Sequence, residues 1–111
     1  MSTLYDRARA LMEMRRRRDT ILGHDLFGEP AWDILLDLYT SEVEGKQVKL
    51  SALGLLAGIA PTTMMRWTAV LVNRGLINRS SDDRDQRIRI VSLSDAGRAR
   101  IEQVLMHSSD S

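Results

Sequence analysis

Apolar residues recur at helical spacing in five segments of the chain, and shorter segments between them have the alternating pattern of strands. The clearest helical segment begins at Pro30, which fits the first position of a helix, and ends near Gly45. Its apolar stripe is expected to comprise Trp32, Leu35, Leu36, Tyr39 and Val43, with Asp33, Asp37, Thr40 and Glu44 on a solvated side. The predicted helices cover residues 1–22, 30–44, 51–57, 61–74 and 94–107. Residues 76–79 and 88–93 are predicted strands, and residues 47–50 are a candidate third strand.

The second half of the chain places these elements in the order of a helix-turn-helix followed by a hairpin. A short helix capped by Ser51 is predicted to end at Gly58, because helices often end at a residue with a left-handed backbone conformation. A second helix is predicted to begin at Pro61 and to cover residues 61–74. The polar segment 80–87 is typical of a turn-forming loop between two strands. We therefore predict a winged helix-turn-helix, a mainly α fold with a small β-wing. A three-helix core would carry a two-to-three-stranded antiparallel sheet, with flanking N- and C-terminal helices.

The length of 111 residues and the apolar content of 43% predict a single domain. Within it, residues 1–22 would form an N-terminal helix and candidate dimerisation element. Residues 30–93 would form the winged-helix core, and residues 94–107 the C-terminal helix.

Composition excludes several classes of function. The chain has no cysteine, so neither a disulfide framework nor a thiolate metal site is expected. No long apolar run predicts a membrane span or a secretion signal, and we expect a cytoplasmic protein. His24 and His107 are far apart in sequence, and no nucleophile lies near a base in any recognisable motif. We therefore expect no enzymatic activity, no metal and no cofactor.

The net charge of +1 conceals blocks of opposite sign. Residues 1–18 are rich in arginine, residues 19–44 contain seven acids and no Lys or Arg, and residues 60–100 contain eight arginines. Local patches of this kind, rather than the total, set the field that a polyanion experiences. The run Arg15–Arg18 has three open interpretations: a solvated helix end, an arm that contacts phosphates, or a salt bridge to the acidic second helix.

The helix over residues 61–74 is the predicted recognition helix, because the second helix of a helix-turn-helix enters the major groove with its first turns. Its early positions away from the expected buried stripe (Met64, Trp67, Thr68 and Leu71) are Thr62, Thr63, Met65 and Arg66. Arg66 is the best candidate for a bidentate guanine contact, an interaction that carries about 1–3 kcal/mol of discrimination. The two threonines suit phosphate or base-edge hydrogen bonds, and Met65 suits contact with a thymine methyl group.

Four motifs in order resemble the MarR family of winged-helix transcriptional regulators. They are Leu53–Ile59 in the first motif helix, Leu71–Ile77 at the exit from the recognition helix, Asp85-Gln86-Arg87 in the wing, and Leu93-Ser94 with Gly97. The resemblance covers roughly residues 30–106. It implies a wing (residues 79–89) in which Arg87 enters the minor groove and Asp85 orients it, while Arg84 and Arg89 neutralise phosphates. It also implies a homodimer on a pseudo-palindromic site in double-stranded DNA.

The chain departs from that family pattern after Met106, where the extended C-terminal helix pair is mostly absent. We therefore expect the N-terminal helix to supply the dimer surface through Leu4, Ala8, Leu11 and Met12, and we expect no pocket for a small-molecule effector. A different class of function stays open: a winged helix that docks proteins or dimerises without contacting DNA. The near-zero net charge and the sparse basicity of the recognition helix favour that alternative.

Overall fold

The computed structural model describes residues 3–22, 30–53 and 58–108. Four α-helices in these residues are α1 (Thr3–Leu22), α2 (Pro30–Val43), α3 (Pro61–Asn73) and α4 (Asp95–Ser108). The strands are β1 (Val48–Lys49), β2 (Ile77–Ser81) and β3 (Arg89–Leu93), which form one antiparallel sheet in the order β1-β3-β2. The prediction of a mainly helical winged fold with a small antiparallel sheet is confirmed.

The short helix predicted over residues 51–57 takes a different form in the part that the structure describes. A 3-10 helix spans Leu50–Ala52, and Leu53 follows it with an extended backbone. Lys49, not Ser51, occupies the N-cap position, and no side chain caps this helix. Residues 54–57 lie outside the described residues. Gly58 has a φ of +69°, so the left-handed residue predicted there is confirmed.

Helix α2 is the centre of the core and is buried on more sides than its sequence pattern predicted. It packs against α1, α3, α4 and β3. Ile34 and Leu38, which lay off the predicted stripe, are fully buried, whereas Val43 is 45% exposed. Thr40 was expected on the solvated side but is buried, and its hydroxyl donates to the carbonyl oxygen of Leu36 at 3.0 Å. The single-stripe prediction for this helix is wrong because neighbours surround the helix.

The end of α3 is joined tightly to the start of α4. Gly75 has a φ of +72°, and the amide of Leu76 donates to the carbonyl of Leu71 at 3.0 Å, which closes the helix as a Schellman motif. Ser94 then ties the two helices together. Its backbone amide donates to the carbonyl of Leu76 (3.0 Å), and its hydroxyl donates to the carbonyl of Gly75 (2.6 Å). The same hydroxyl caps α4 by accepting the amide of Gly97 at 2.9 Å.

Candidate nucleic-acid interface

Helix α3 presents one polar face because its other face is anchored in the core. Met64, Thr68 and Leu71 are buried, and Trp67 packs against the core while remaining half-buried. The hydroxyl of Thr68 donates to the carbonyl of Met64 at 2.7 Å, so this polar side chain is satisfied inside the core. The stripe predicted for this helix is confirmed.

The four residues singled out on this helix lie in its first two turns. Thr62 and Arg66 are exposed, Met65 is 46% exposed and Thr63 is half-buried. Arg66 makes no hydrogen bond or ion pair with another described residue. None of its donors is thus used within the described part of the chain.

The wing is the hairpin of β2 and β3 with the loop 82–88 at its tip. Two backbone hydrogen bonds fold this loop: the amide of Asp82 donates to the carbonyl of Ile88, and the amide of Ile88 donates to the carbonyl of Asp85, both at 2.9 Å. The carboxylate of Asp82 accepts the amide of Arg84 at 2.8 Å. The loop is thus held by its own hydrogen bonds although it projects from the core.

Asp85 and Arg87 form a two-point ion pair at the tip of the wing. Nε of Arg87 lies 3.1 Å from Oδ1 of Asp85, and Nη2 lies 3.0 Å from Oδ2. The side-chain hydrogen bonds from Arg87, followed by its backbone amide, lower the pKa of the Asp85 carboxyl below its ordinary value. The side chain of Arg87 is nevertheless 91% exposed, so the pair fixes the direction of the arginine without covering it.

Some of the predicted residues meet at a groove between α3 and the wing, and others do not. Met65, Arg87 and Arg89 line this groove, whose volume is about 600 Å³. Thr62, Thr63, Arg66 and Arg84 are not part of its lining. Lys49 of β1 does line it and was missed from sequence. The available signal was a lysine in a candidate strand directly before the helix-turn-helix, but only the sheet pairing shows that β1 lies beside β3.

A second cavity, of about 510 Å³, lies between the end of α2 and α4. The charged side chains Glu42 and Arg98 in its lining are paired with each other at 2.5 Å. The hydroxyl of Tyr39 donates to Glu102 at 2.9 Å, and burial together with this bond raises the pKa of Tyr39 to about 12. These side chains bind one another and thereby link α2 to α4.

The basic run on α1 is buried at Arg15 and exposed at the next two residues. Arg15 is only 8% exposed, and its Nε lies 2.6 Å from Oδ1 of Asp33 on α2. Of the three interpretations, the salt bridge to the second helix therefore holds for Arg15, and the prediction of a solvated Asp33 is wrong. Arg16 and Arg17 are exposed, and the side chain of Arg18 lies outside the described residues.

Within the described residues no group of His, Asp and Glu side chains is arranged to hold a metal ion. His24 and the side chain of His107 lie outside those residues. No helix in the described part of the chain has the length and apolar character needed to cross a membrane.

No protein-family model matches the sequence, and no curated protein matches it significantly. Solved structures do match the fold. A probable transcriptional regulator from Pseudomonas aeruginosa is 29% identical, with a TM-score of 0.63 over 93% of this chain and 72% of its own length. AbfR, in its reduced form bound to DNA, is 21% identical with a TM-score of 0.61, over 96% of this chain and 72% of its own. Lactococcus lactis ZitR is 17% identical with a TM-score of 0.64, over 76% of this chain. The match spans only 54% of the length of ZitR.

The structural neighbours are MarR-family transcriptional regulators, and none of those described is an enzyme. The chain has the MarR-type winged-helix fold that its four motifs indicated. This likeness shows the fold of the chain, while transcriptional regulation and DNA binding are properties of the neighbours themselves.

Proposed function

We propose that this protein is a sequence-specific regulator that reads double-stranded DNA as a homodimer in the cytoplasm. In this proposal α3 inserts Thr62, Thr63, Met65 and Arg66 into the major groove. The wing places Arg87 in the adjacent minor groove, oriented by Asp85, while Arg84 and Arg89 contact phosphates. No small-molecule effector and no cofactor are part of the proposal.

The observation that carries the proposal is the pair of exposed arginines on adjacent projections. Arg66 stands on the free face of α3, and Arg87 is held at the tip of the wing with most of its surface exposed. An arginine on a recognition helix suits guanine in the major groove, and an arginine on a projecting loop suits the negative potential of a narrow minor groove.

The dimer part of the proposal rests on the surface formed by α1 and α4. Arg7 of α1 donates to the carbonyls of Leu105 (2.9 Å) and Met106 (3.2 Å), which ties α1 to the last turns of α4. Large apolar side chains of these two helices are exposed, namely Met14, Val104 and Met106. These side chains would contact a second copy of the chain. The predicted residues Leu4, Ala8, Leu11 and Met12 do not form such a surface, because Ala8 is buried and the other three pack against the core.

The test is selection of duplexes from a randomised library with three proteins: the unchanged chain, the Arg66→Ala/Arg87→Ala double variant, and Lys46→Ala. Lys46 is exposed, lies outside the candidate interface and the α1/α4 surface, and serves as the control for loss of a positive charge. We expect an enriched inverted repeat with the unchanged chain and the control, and none with the double variant. Removal of Arg66 alone should cost about 1–3 kcal/mol of binding free energy for each half-site and relax the preference at one base pair in each half-site.

The alternative is a docking module that binds protein rather than DNA, and the net charge of +1 favours it. Such a module would enrich no sequence at low salt, with or without the two arginines. That result would contradict the proposed function and direct the search to protein partners.

A further inference from the structure

The groove between α3 and the wing combines an apolar floor with a cationic lining. Leu50, Ile59, Met64 and Ile88 contribute apolar surface to it. Three cations also line it, Lys49 from β1, Arg87 from the wing tip and Arg89 from the start of β3. No acidic side chain belongs to this lining within the described part of the chain. Such a surface suits a ligand with negative charges on an apolar body.

Lys49 owes its place in the groove to the sheet. Strand β1 pairs with β3 so that Lys49 lies opposite Ile90, next to Arg89. Lys49 is exposed and forms no ion pair with another described residue. Lys46, three residues earlier, is also exposed, but it pairs with Glu44 at 3.2 Å and lines the cavity between α2 and α4. The chain therefore offers a matched pair of lysines, one in the groove and one outside it.

We propose that the groove holds one sugar–phosphate strand of the bound duplex and that Lys49 contacts a phosphate there. This inference rests on the proposed function. If α3 occupies the major groove and the wing occupies the neighbouring minor groove, the backbone strand that separates those two DNA grooves has to cross the surface between α3 and the wing. The groove is that surface. Lys49 and Arg89 match phosphate oxygens, while Arg87 reaches past the strand into the minor groove, and the apolar floor matches the faces of the deoxyribose rings.

The test is a salt titration of binding to the selected duplex, comparing the unchanged chain with Lys49→Ala and Lys46→Ala. Each phosphate contact contributes about 0.9 to the slope of log K against log salt concentration. Because a homodimer loses two such contacts, we expect Lys49→Ala to reduce the magnitude of that slope by about 1.8, so a fourfold dilution of salt should widen its deficit about 12-fold. Lys46→Ala should follow the unchanged chain. The sequence preference of Lys49→Ala should stay the same, because a phosphate contact carries no base information.

A second variant keeps the test independent of the lysine. Ser51 is exposed and lines the same groove, so Ser51→Asp adds a negative charge there without removing a cation. We expect Ser51→Asp to weaken binding while both variants melt like the unchanged chain.

Two failures are distinguishable. If the unchanged chain binds its duplex and Arg66→Ala weakens it, but Lys49→Ala and Ser51→Asp both behave like the unchanged chain, the backbone strand does not lie in the groove. The inference is then overturned alone, and the groove becomes a candidate site for a small amphipathic anion. If the unchanged chain shows no salt-dependent duplex binding, the proposed function and this inference are overturned together.

Discussion

Gly97 determines how closely α4 approaches the turn that follows α3. A Cβ atom on this residue would lie 2.0 Å from the carbonyl oxygen of Leu76. The obstructing atom belongs to the backbone, and the neighbouring Ser94 fixes that backbone by hydrogen bonds to Gly75 and Leu76. A side chain at position 97 would therefore have to push two helices apart.

We expect Gly97→Ala to lower the free energy of unfolding by about 1–3 kcal/mol, the usual cost of overpacking. The sign of this change in the free energy of unfolding is informative, because helix propensity alone favours alanine over glycine by about 1 kcal/mol and would predict a gain in stability. Thermal and urea unfolding measure the change. Ala96→Gly, at the exposed neighbouring position, is the control and should cost about 1 kcal/mol or less. A higher melting temperature for Gly97→Ala would contradict the close approach.

The glycines show what could be predicted at the residue scale. Gly58 and Gly75 end helical patterns, and their positive φ angles follow from that position alone. Gly97 drew attention only through a family motif. Its reason is a contact with Leu76, a residue of another element, and no local pattern contains such a contact.

At the scale of elements, the pattern was reliable for α3 and misleading for α2. Periodicity predicts one buried stripe, which holds for α3 because one of its sides faces solvent. Helix α2 has neighbours on several sides, so its polar residues Asp33 and Thr40 are enclosed and satisfied by Arg15 and by the helix backbone. The sequence alone does not distinguish a buried, hydrogen-bonded threonine or a buried, paired aspartate from a solvated one.

Glu42 joins α2 to the wing and to α4. Its carboxylate accepts the backbone amide of Leu93 in β3 at 2.8 Å and pairs with Arg98 of α4 at 2.5 Å. β1 supplies partners for β3 only at Ile90 and Val91. The side chain of Glu42 thus satisfies the central strand beyond the end of its short neighbour.

We expect Glu42→Ala to lower the free energy of unfolding by about 1–3 kcal/mol, since it leaves the amide of Leu93 without its acceptor and Arg98 with only its longer ion pair to Asp95. Glu42→Gln should retain more of the stability, because its amide oxygen can still accept the hydrogen bond from Leu93. Urea unfolding of the two variants measures the difference. Equal stability of the alanine variant and the unchanged chain would show that this link contributes nothing.

At the scale of the whole molecule, internal pairing explains why the net charge is a poor guide to the interface. Acids of the predicted negative block are paired with cations of the same chain, Asp33 with Arg15, Glu42 with Arg98 and Glu44 with Lys46. Arg66, Arg84 and Arg89 remain exposed around the candidate interface. The blocks of charge were visible in the sequence, but their partners lie up to 56 residues apart and required the fold.

The pair of Arg15 and Asp33 attaches α1 to the winged core. Because both side chains are mostly buried, removal of one partner leaves an uncompensated charge, a change that typically costs about 3–5 kcal/mol. We expect Arg15→Ala to destabilise the protein by an amount approaching that range, as measured by urea unfolding. An Arg15→Met/Asp33→Leu variant should recover much of the loss, because an apolar pair leaves no buried charge. A single variant as stable as the unchanged chain would contradict a structural role for the pair.

The close approach of Gly97 to Leu76 also affects which DNA operators such a protein would bind. With no side chain between them, the backbone of α4 meets the turn at the end of α3 directly, and we expect the two helices to move together. In a homodimer built on α1 and α4, the contact between the two copies would then set both the distance and the angle between the recognition helices. One extra base pair between half-sites rotates the second by about a tenth of a turn, since the duplex repeats about every 10–10.5 base pairs. Such a dimer would discriminate between operators by the rotation of one half-site relative to the other around the duplex, as well as by the bases within each half-site.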